Sequence, residues 1–208
     1  MVEKDLYQKS LNLMKKKIEN DGYLLKEDIN ILLDLIDNNK LKLLTYTLLY
    51  SGRRVSECLL LKPKNIYEDI NEIDWAIFKK KDTKNIVYKK KACYPGLIES
   101  LISYIVKNNI HWDDYIFSSP QNIKDKKHYS RQNIWYVIHK AGLKMGKNIH
   151  PHTLRHTYGI MLAMDGASFK TIQNQLDHEN PSTTQIYLDI GQVHIKEDLK
   201  KMERKVLK

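Results

Sequence analysis

The stretch HPHTLRHTYG, residues 150–159, begins a run of helical spacing that is expected to continue to residue 164. His152 and Arg155 stand three positions apart, so on a helix they share one face. The same stretch raises a competing possibility. His150 and His152 form an H-x-H, and His152 and His156 are four apart, as zinc sites require. No Cys cluster or H-E-x-x-H completes such a set in the 208 residues. No metal is therefore expected, and His156 is expected to be a packed or capping histidine.

Toward the C-terminus, helical signals at 168–176 and 182–188 frame LDHENPSTTQIYLD, residues 176–189. This places His178 just past a helix end and Tyr187 nine residues later on the next helix. Toward the N-terminus, SGRRVSECLLL, residues 51–61, puts Arg54 at the mouth of a short helix that stops before Pro63. Before it, Leu25, Ile29, Leu32, Leu33 and Ile36 follow helical spacing. Residues 41–50 are apolar nearly all round and belong at the centre of the core, with Gly52 ending that helix. Between these segments the texture changes. IDWAIF (73–78) and NIVY (85–88) favour β structure, and the lysine-rich KKKDTK (79–84) between them reads as a hairpin. Helices are again expected at 95–106, where Pro95 suits the first helical position, and at 130–145. Residues 1–20 read as a short polar helix, and 194–206 as a basic amphipathic one. The fold class is mainly α (α+β), helical with one small antiparallel sheet.

Lys and Arg total 35 against 25 Asp and Glu, a formal charge of +10. Such an excess fits a nucleic-acid footprint, since counterion release from phosphates drives binding. An anionic membrane surface or simple solubility would explain it equally well. No run approaches the roughly 20 apolar residues needed to span a bilayer, and the N-terminus lacks the pattern of a signal peptide. Cys58 and Cys93 stand alone, which suits a reducing cytosol. The expectation is a soluble, cytoplasmic, basic protein with no membrane partner.

Taken singly, the polar residues above have ordinary explanations. Tyr187 is one of 13 tyrosines, and a helical tyrosine is usually half-buried packing. Arg54 and Arg155 alone would be solvated or ion-paired cations, Glu57 a helix-surface carboxylate, and KKKDTK a solvated tip. Together they form the order Arg54, His152-x-x-Arg155, His178, Tyr187, with 23 residues from Arg155 to His178. This order resembles the signature of the tyrosine recombinases, the phage integrase family, in their Xer-like branch. Gly-x-Arg-x-Ser-Glu at 52–57, Leu-Arg-His-Thr at 154–157 and Thr-Thr-x-x-Tyr at 183–187 agree with it. The resemblance runs from about residue 22 to residue 190.

The resemblance implies a DNA breaking-rejoining fold with a three-stranded antiparallel sheet and site-specific recombination through a 3′-phosphotyrosine at Tyr187. Arg54 and Arg155 would clamp the non-bridging oxygens of the phosphorane, because guanidinium is planar, charged and bidentate. An unperturbed tyrosine has a pKa of about 10 and needs a base, for which the family supplies His152. His178 would hydrogen-bond the phosphate, and Glu57 would hold the Arg54 and His152 shell. A hairpin lysine would protonate the leaving 5′-oxygen. Alignment with the family's Gly-Lys-Gly-x-Lys pattern puts Lys81 there and Lys84 at the second lysine, with Lys80 and Asp82 replacing the glycines. Lys79, which shares a strand face with Lys81, is the reserve. Lys79, Lys80 and Lys84 are further expected DNA contacts. The covalent link conserves the bond energy, so no ATP, metal or other cofactor is expected.

The implied partners are duplex DNA and, in the synaptic complex, three further copies of the chain. Residues 22–190 would form the catalytic domain and 191–208 a subunit-docking tail. Residues 1–21 would be an arm or the remnant of a core-binding domain. The family usually has glycine where Asp177 stands; a carboxylate there would either favour a protonated His178 or point to solvent. Two other functions compete. The segment GASFKTIQNQLDHENPSTTQIY also reads as helix, turn, helix, which suits a DNA-binding regulator without chemistry. A type IB topoisomerase-like enzyme would share the tyrosine chemistry.

Overall fold

The computed structural model describes residues 22–79, 82–120 and 127–190. The expected N-terminal arm, Lys80, Lys81 and the C-terminal docking tail lie outside the described residues, as do the side chains of Lys79 and Lys84.

Helix α1 (Lys26–Asp34) buries Ile29 and Leu32, and its first turn carries Glu27 and Asp28, which suit the positive helix end. Leu25, expected on the buried stripe, instead precedes the helix and is 51% exposed. Helix α2 (Asn39–Ser51) starts where the Asn38 side chain accepts a hydrogen bond from the Leu41 N–H. Its buried hydroxyls are satisfied locally: Thr45, Thr47 and Ser51 each donate to a carbonyl four residues back. Gly52 closes α2 at φ 62°, where a Cβ would also strike the Tyr158 ring at 2.3 Å, so only glycine fits. Helix α3 (Val55–Leu59) follows at once, then a turn of 3-10 helix at Pro63–Asn65.

The sheet is antiparallel in the order β1 (Ile66–Tyr67), β2 (Glu72–Lys79), β3 (Asp82–Ala92). Strand pairing sets Ile73 opposite Lys91, Trp75 opposite Lys89 and Ile77 opposite Val87. Paired residues share a face, so Lys89 and Lys91 lie on the side of the sheet that buries Ile73, Trp75 and Ile77. Lys90 alternates to the other face and covers the Tyr67 ring at 4.0 Å.

Helix α4 (Pro95–Lys107) has proline at its start and buries Leu97, Ile98 and Leu101. Helix α5 (Arg131–Lys144) is capped by Ser130, whose hydroxyl accepts from the Asn133 N–H. Helix α6 (Pro151–Met164) packs along α2 and against α7 (Phe169–Leu176), which Ser168 caps. A last helix, α8, covers residues 181–190. The mainly helical class with a three-stranded antiparallel sheet is therefore the observed one. No helix among the described residues is long and apolar enough to cross a membrane.

Candidate active site

Four segments distant in sequence meet at one place: the loop between α2 and α3, the first turns of α6, the end of α7, and α8. Arg155 on α6 holds them together. Its side chain is buried; Nη1 donates to the Gly52 carbonyl at 2.6 Å and Nη2 to the Leu176 carbonyl. These two carbonyls belong to the C-terminal ends of α2 and α7, where unpaired carbonyls and the helix dipole favour a cation. Burial, with Arg53 and Arg54 nearby, lowers Arg155 to about 10, so it remains charged at neutral pH.

Arg54 is the residue just before α3. Its backbone N–H donates to Glu57 Oε2 at 3.0 Å and its Nη1 to Glu57 Oε1 at 2.9 Å. The Glu57 side chain is fully buried, whereas that of Arg54 is 35% exposed. A buried carboxylate thus aims a cation that still reaches solvent. Arg54 borders two clefts. One, of about 720 Å³, is lined by Phe78, Lys89, Lys170, Asp177 and His178. The other, of about 400 Å³, is lined by Arg131, Trp135, His152 and Arg155.

Tyr187 on α8 is 1% exposed. Its hydroxyl lies 2.9 Å from Nδ1 of His156, and its ring stacks on His178 with centroids 5.8 Å apart and planes at 21°. Gly159, one turn after Arg155 on α6, makes room: a Cβ there would lie 2.9 Å from the tyrosine ring. Burial raises the Tyr187 hydroxyl to about 12, against the pull of Arg155. A phenol so placed needs a neighbouring group to take its proton. The His178 ring nitrogen Nδ1 meets Thr184 Oγ1 at 3.1 Å. Burial, then Arg155, Arg54 and His156, lowers His178 to about 3, so it is neutral at pH 7.

Sequence and structure differ at two points. His156, expected to be merely packed or capping, faces the Tyr187 hydroxyl. Its position one turn beyond His152 on the same helix face was the available signal. His152 is exposed and lines the smaller cleft, with ring centroids 6.5 Å from His156. Asp177 neither protonates His178 nor points to solvent. It ends α7 in a left-handed conformation at φ 48° and turns inward to Arg53, Lys89 and Lys91. Those two lysines come from the run 89–91, where strand alternation was the clue. Among the described residues, no three metal-ligating side chains converge.

This arrangement of helices and sheet is the catalytic-domain fold of the tyrosine recombinases. It is similar to the crystal structure of XerA recombinase, with a TM-score of 0.69 at 24% identity over 87% of this chain and 65% of that one. It is also similar to XerH site-specific recombinase bound to palindromic difH substrate, with a TM-score of 0.67 at 20% identity over 88% of this chain and 54% of that one. The chain belongs to the phage integrase family, which it matches over residues 22–193. It is 32% identical over 181 residues to the tyrosine recombinase XerA of Pyrococcus horikoshii, covering 86% of this chain and 60% of that protein. It is 30% identical over 174 residues to the tyrosine recombinase XerD of Staphylococcus aureus, covering 81% of this chain and 55% of that protein. The chain thus spans little more than half the length of these relatives. Neither the regulator nor the topoisomerase alternative is favoured by this family match.

Proposed function

We propose that this chain is the DNA-cleaving and rejoining part of a site-specific recombinase that acts in the cytoplasm through a covalent phosphotyrosine at Tyr187. The observation that carries this reading is the Tyr187 hydroxyl, 2.9 Å from His156 in a site whose walls are joined by the buried Arg155.

In the reaction, Tyr187 Oη attacks the phosphorus of a backbone phosphodiester, and the bond from phosphorus to the 5′-oxygen breaks. The products are a 3′-phosphotyrosine and a 5′-hydroxyl, and reversal of the step on a new 5′-hydroxyl rejoins the strand. The phenol proton goes to α6, where His156 meets the hydroxyl and His152 stands one turn nearer the cleft mouth. Arg54 and Arg155 stabilise the charge that develops on the non-bridging oxygens, and neutral His178 adds a hydrogen bond. Glu57 keeps Arg54 in place. Lys81, with Lys79 as the alternative, protonates the 5′-oxygen, while Lys79, Lys80 and Lys84 bind the DNA backbone. Duplex DNA lies across the two clefts that flank Arg54. Four copies of the chain meet on two duplexes in the complete reaction, docked through residues 191–208.

The test works without a defined target sequence. A pool of nicked duplexes with randomised arms, from which the 5′-fragment can diffuse away, is incubated with the protein and examined for SDS-resistant adducts. Adducts are expected from the unaltered chain and none from Tyr187→Phe. An adduct that survives Tyr187→Phe, or none from the unaltered chain across the pool, would refute the proposal.

A further inference from the structure

We propose that Arg53 and Asp177 form a positioning pair that locks the Arg54 loop, the His178 turn and strand β3 into one arrangement. The pair deepens the function proposed above, because it acts through Arg54 and His178.

The two residues are 124 positions apart, and their side chains are 1% and 8% exposed. Arg53 Nη1 donates to Asp177 Oδ2. The other carboxylate oxygen accepts from Lys89 at 2.9 Å and lies 3.2 Å from Lys91. Lys91 also donates to the Asn174 carbonyl in the last turn of α7. Arg53 directly precedes Arg54, and Asp177 directly precedes His178, so a single carboxylate joins both phosphate-facing residues to the strand that leads from the hairpin tip.

Neither residue suits its position alone. A guanidinium at position 53 loses its hydration, and its Nε and Nη2 have no hydrogen-bond partner among the described residues. An aliphatic side chain would occupy the same space without that cost. Asp177 adopts the left-handed backbone that glycine takes without strain. The choices become consistent as a pair. Burial works to raise the Asp177 carboxyl, but Arg53, Lys89 and Lys91 outweigh it and hold it well below the usual carboxylate range. The carboxylate therefore stays ionised and balances the cation that Arg53 adds beside Arg54 and Arg155. With the charge on Asp177 removed, Arg53 would keep only the Glu57 carboxylate, 4.0 Å away and already engaged by Arg54, and would pull away from the turn.

The experiment uses Asp177→Asn, Arg53→Leu and the double variant Arg53→Leu/Asp177→Asn in the full chain. Asp177→Asn keeps the shape and tolerates the left-handed backbone, so it carries the test if Arg53→Leu fails to fold. Amide hydrogen exchange is measured without DNA in residues 52–57, 86–92 and 174–184. Each single variant is expected to raise exchange roughly tenfold in all three segments, as one cooperative unit loosening. The duplex best cleaved from the randomised pool then separates turnover from binding. Adduct formation at saturating DNA should slow by roughly 10- to 100-fold, with the half-saturating concentration changed less than about threefold, as for misplaced catalytic groups. The double variant should recover most of both losses, which is the sign of a coupled pair. Exchange confined to the mutated segment, a double variant as impaired as the two singles combined, or a loss wholly in DNA affinity would each overturn the proposal. If the unaltered chain forms no adduct, the recombinase function falls, while the exchange measurements still decide whether the pair couples the three segments.

Discussion

The molecule has two apolar clusters of unequal size, and they treat the site differently. The larger is built from α1 to α5, the sheet and the start of α6, with Leu44, Leu48, Leu59, Trp75 and Leu97 almost wholly buried. The functional side chains border it without belonging to it: Arg54 and Glu57 lie at its rim. The smaller gathers Tyr158, Ile160, Ala163, Ile172, Leu176, Ile186 and Tyr187 itself. Here the proposed nucleophile is a core residue. Tyr94 joins the two, edge to face with Tyr50 at 5.7 Å and with Tyr158 at 6.3 Å. The contrast teaches that Arg54 and Glu57 depend on the larger frame and Tyr187 on the smaller cluster, with Arg155 bonded to a carbonyl on each side. A small cluster opens at lower free energy than a large one, so α8 is expected to loosen before the larger frame does.

Three changes would break or sharpen this contrast. The largest effect is expected from Leu44→Ala in the larger cluster. It should cost about 2–5 kcal/mol in chemical denaturation, because the removed methyl groups leave a cavity. Exchange protection should fall throughout the described residues, and a loss confined to α2 would count against one cooperative frame. Gly159→Ala comes next, at about 1–3 kcal/mol, the usual cost of overpacking. Its Cβ would sit within 3.0 Å of the Tyr187 ring, so exchange should rise first in residues 181–190. An unchanged α8 would mean that Tyr187 is not held by this contact.

The smallest effect is a pH dependence. His178 has a folded pKa near 3, below its ordinary 6.5. Its contribution to stability is therefore complete above pH 6.5 and lost as the pH falls toward 3. Asp177 is also depressed, so its contribution is lost in the same direction, below its ordinary 3.8. The unfolding free energy should fall by at most about 1.4 kcal/mol on acidification from pH 6 to pH 5. His178→Asn should flatten that slope, and an equal slope in the variant would show that another group is responsible.

Much of this is legible in the chain itself. Helix periodicity gives α1, α2 and α4 to α7 to within a few residues, because an apolar stripe must face a core whatever that core contains. Gly52 and Pro95 mark ends for backbone reasons that are local. Leu25 misleads because an apolar residue one place before a helix start continues the stripe in sequence without joining it in space. The two-residue strand β1 has no sequence signal of its own; pairing with β2 creates it.

The order and spacing of Arg54, His152, Arg155, His178 and Tyr187 are properties of the chain alone, and they were enough for the family. The tertiary structure alone decided which groups touch. His156 meets Tyr187 across 31 residues, Arg155 meets Leu176 across 21, and Arg53 meets Asp177 across 124. The physical reason is one of range. Periodicity, capping and turn preference act over a few residues, whereas a buried hydrogen bond or ion pair forms only where packed helices bring two side chains within about 3 Å.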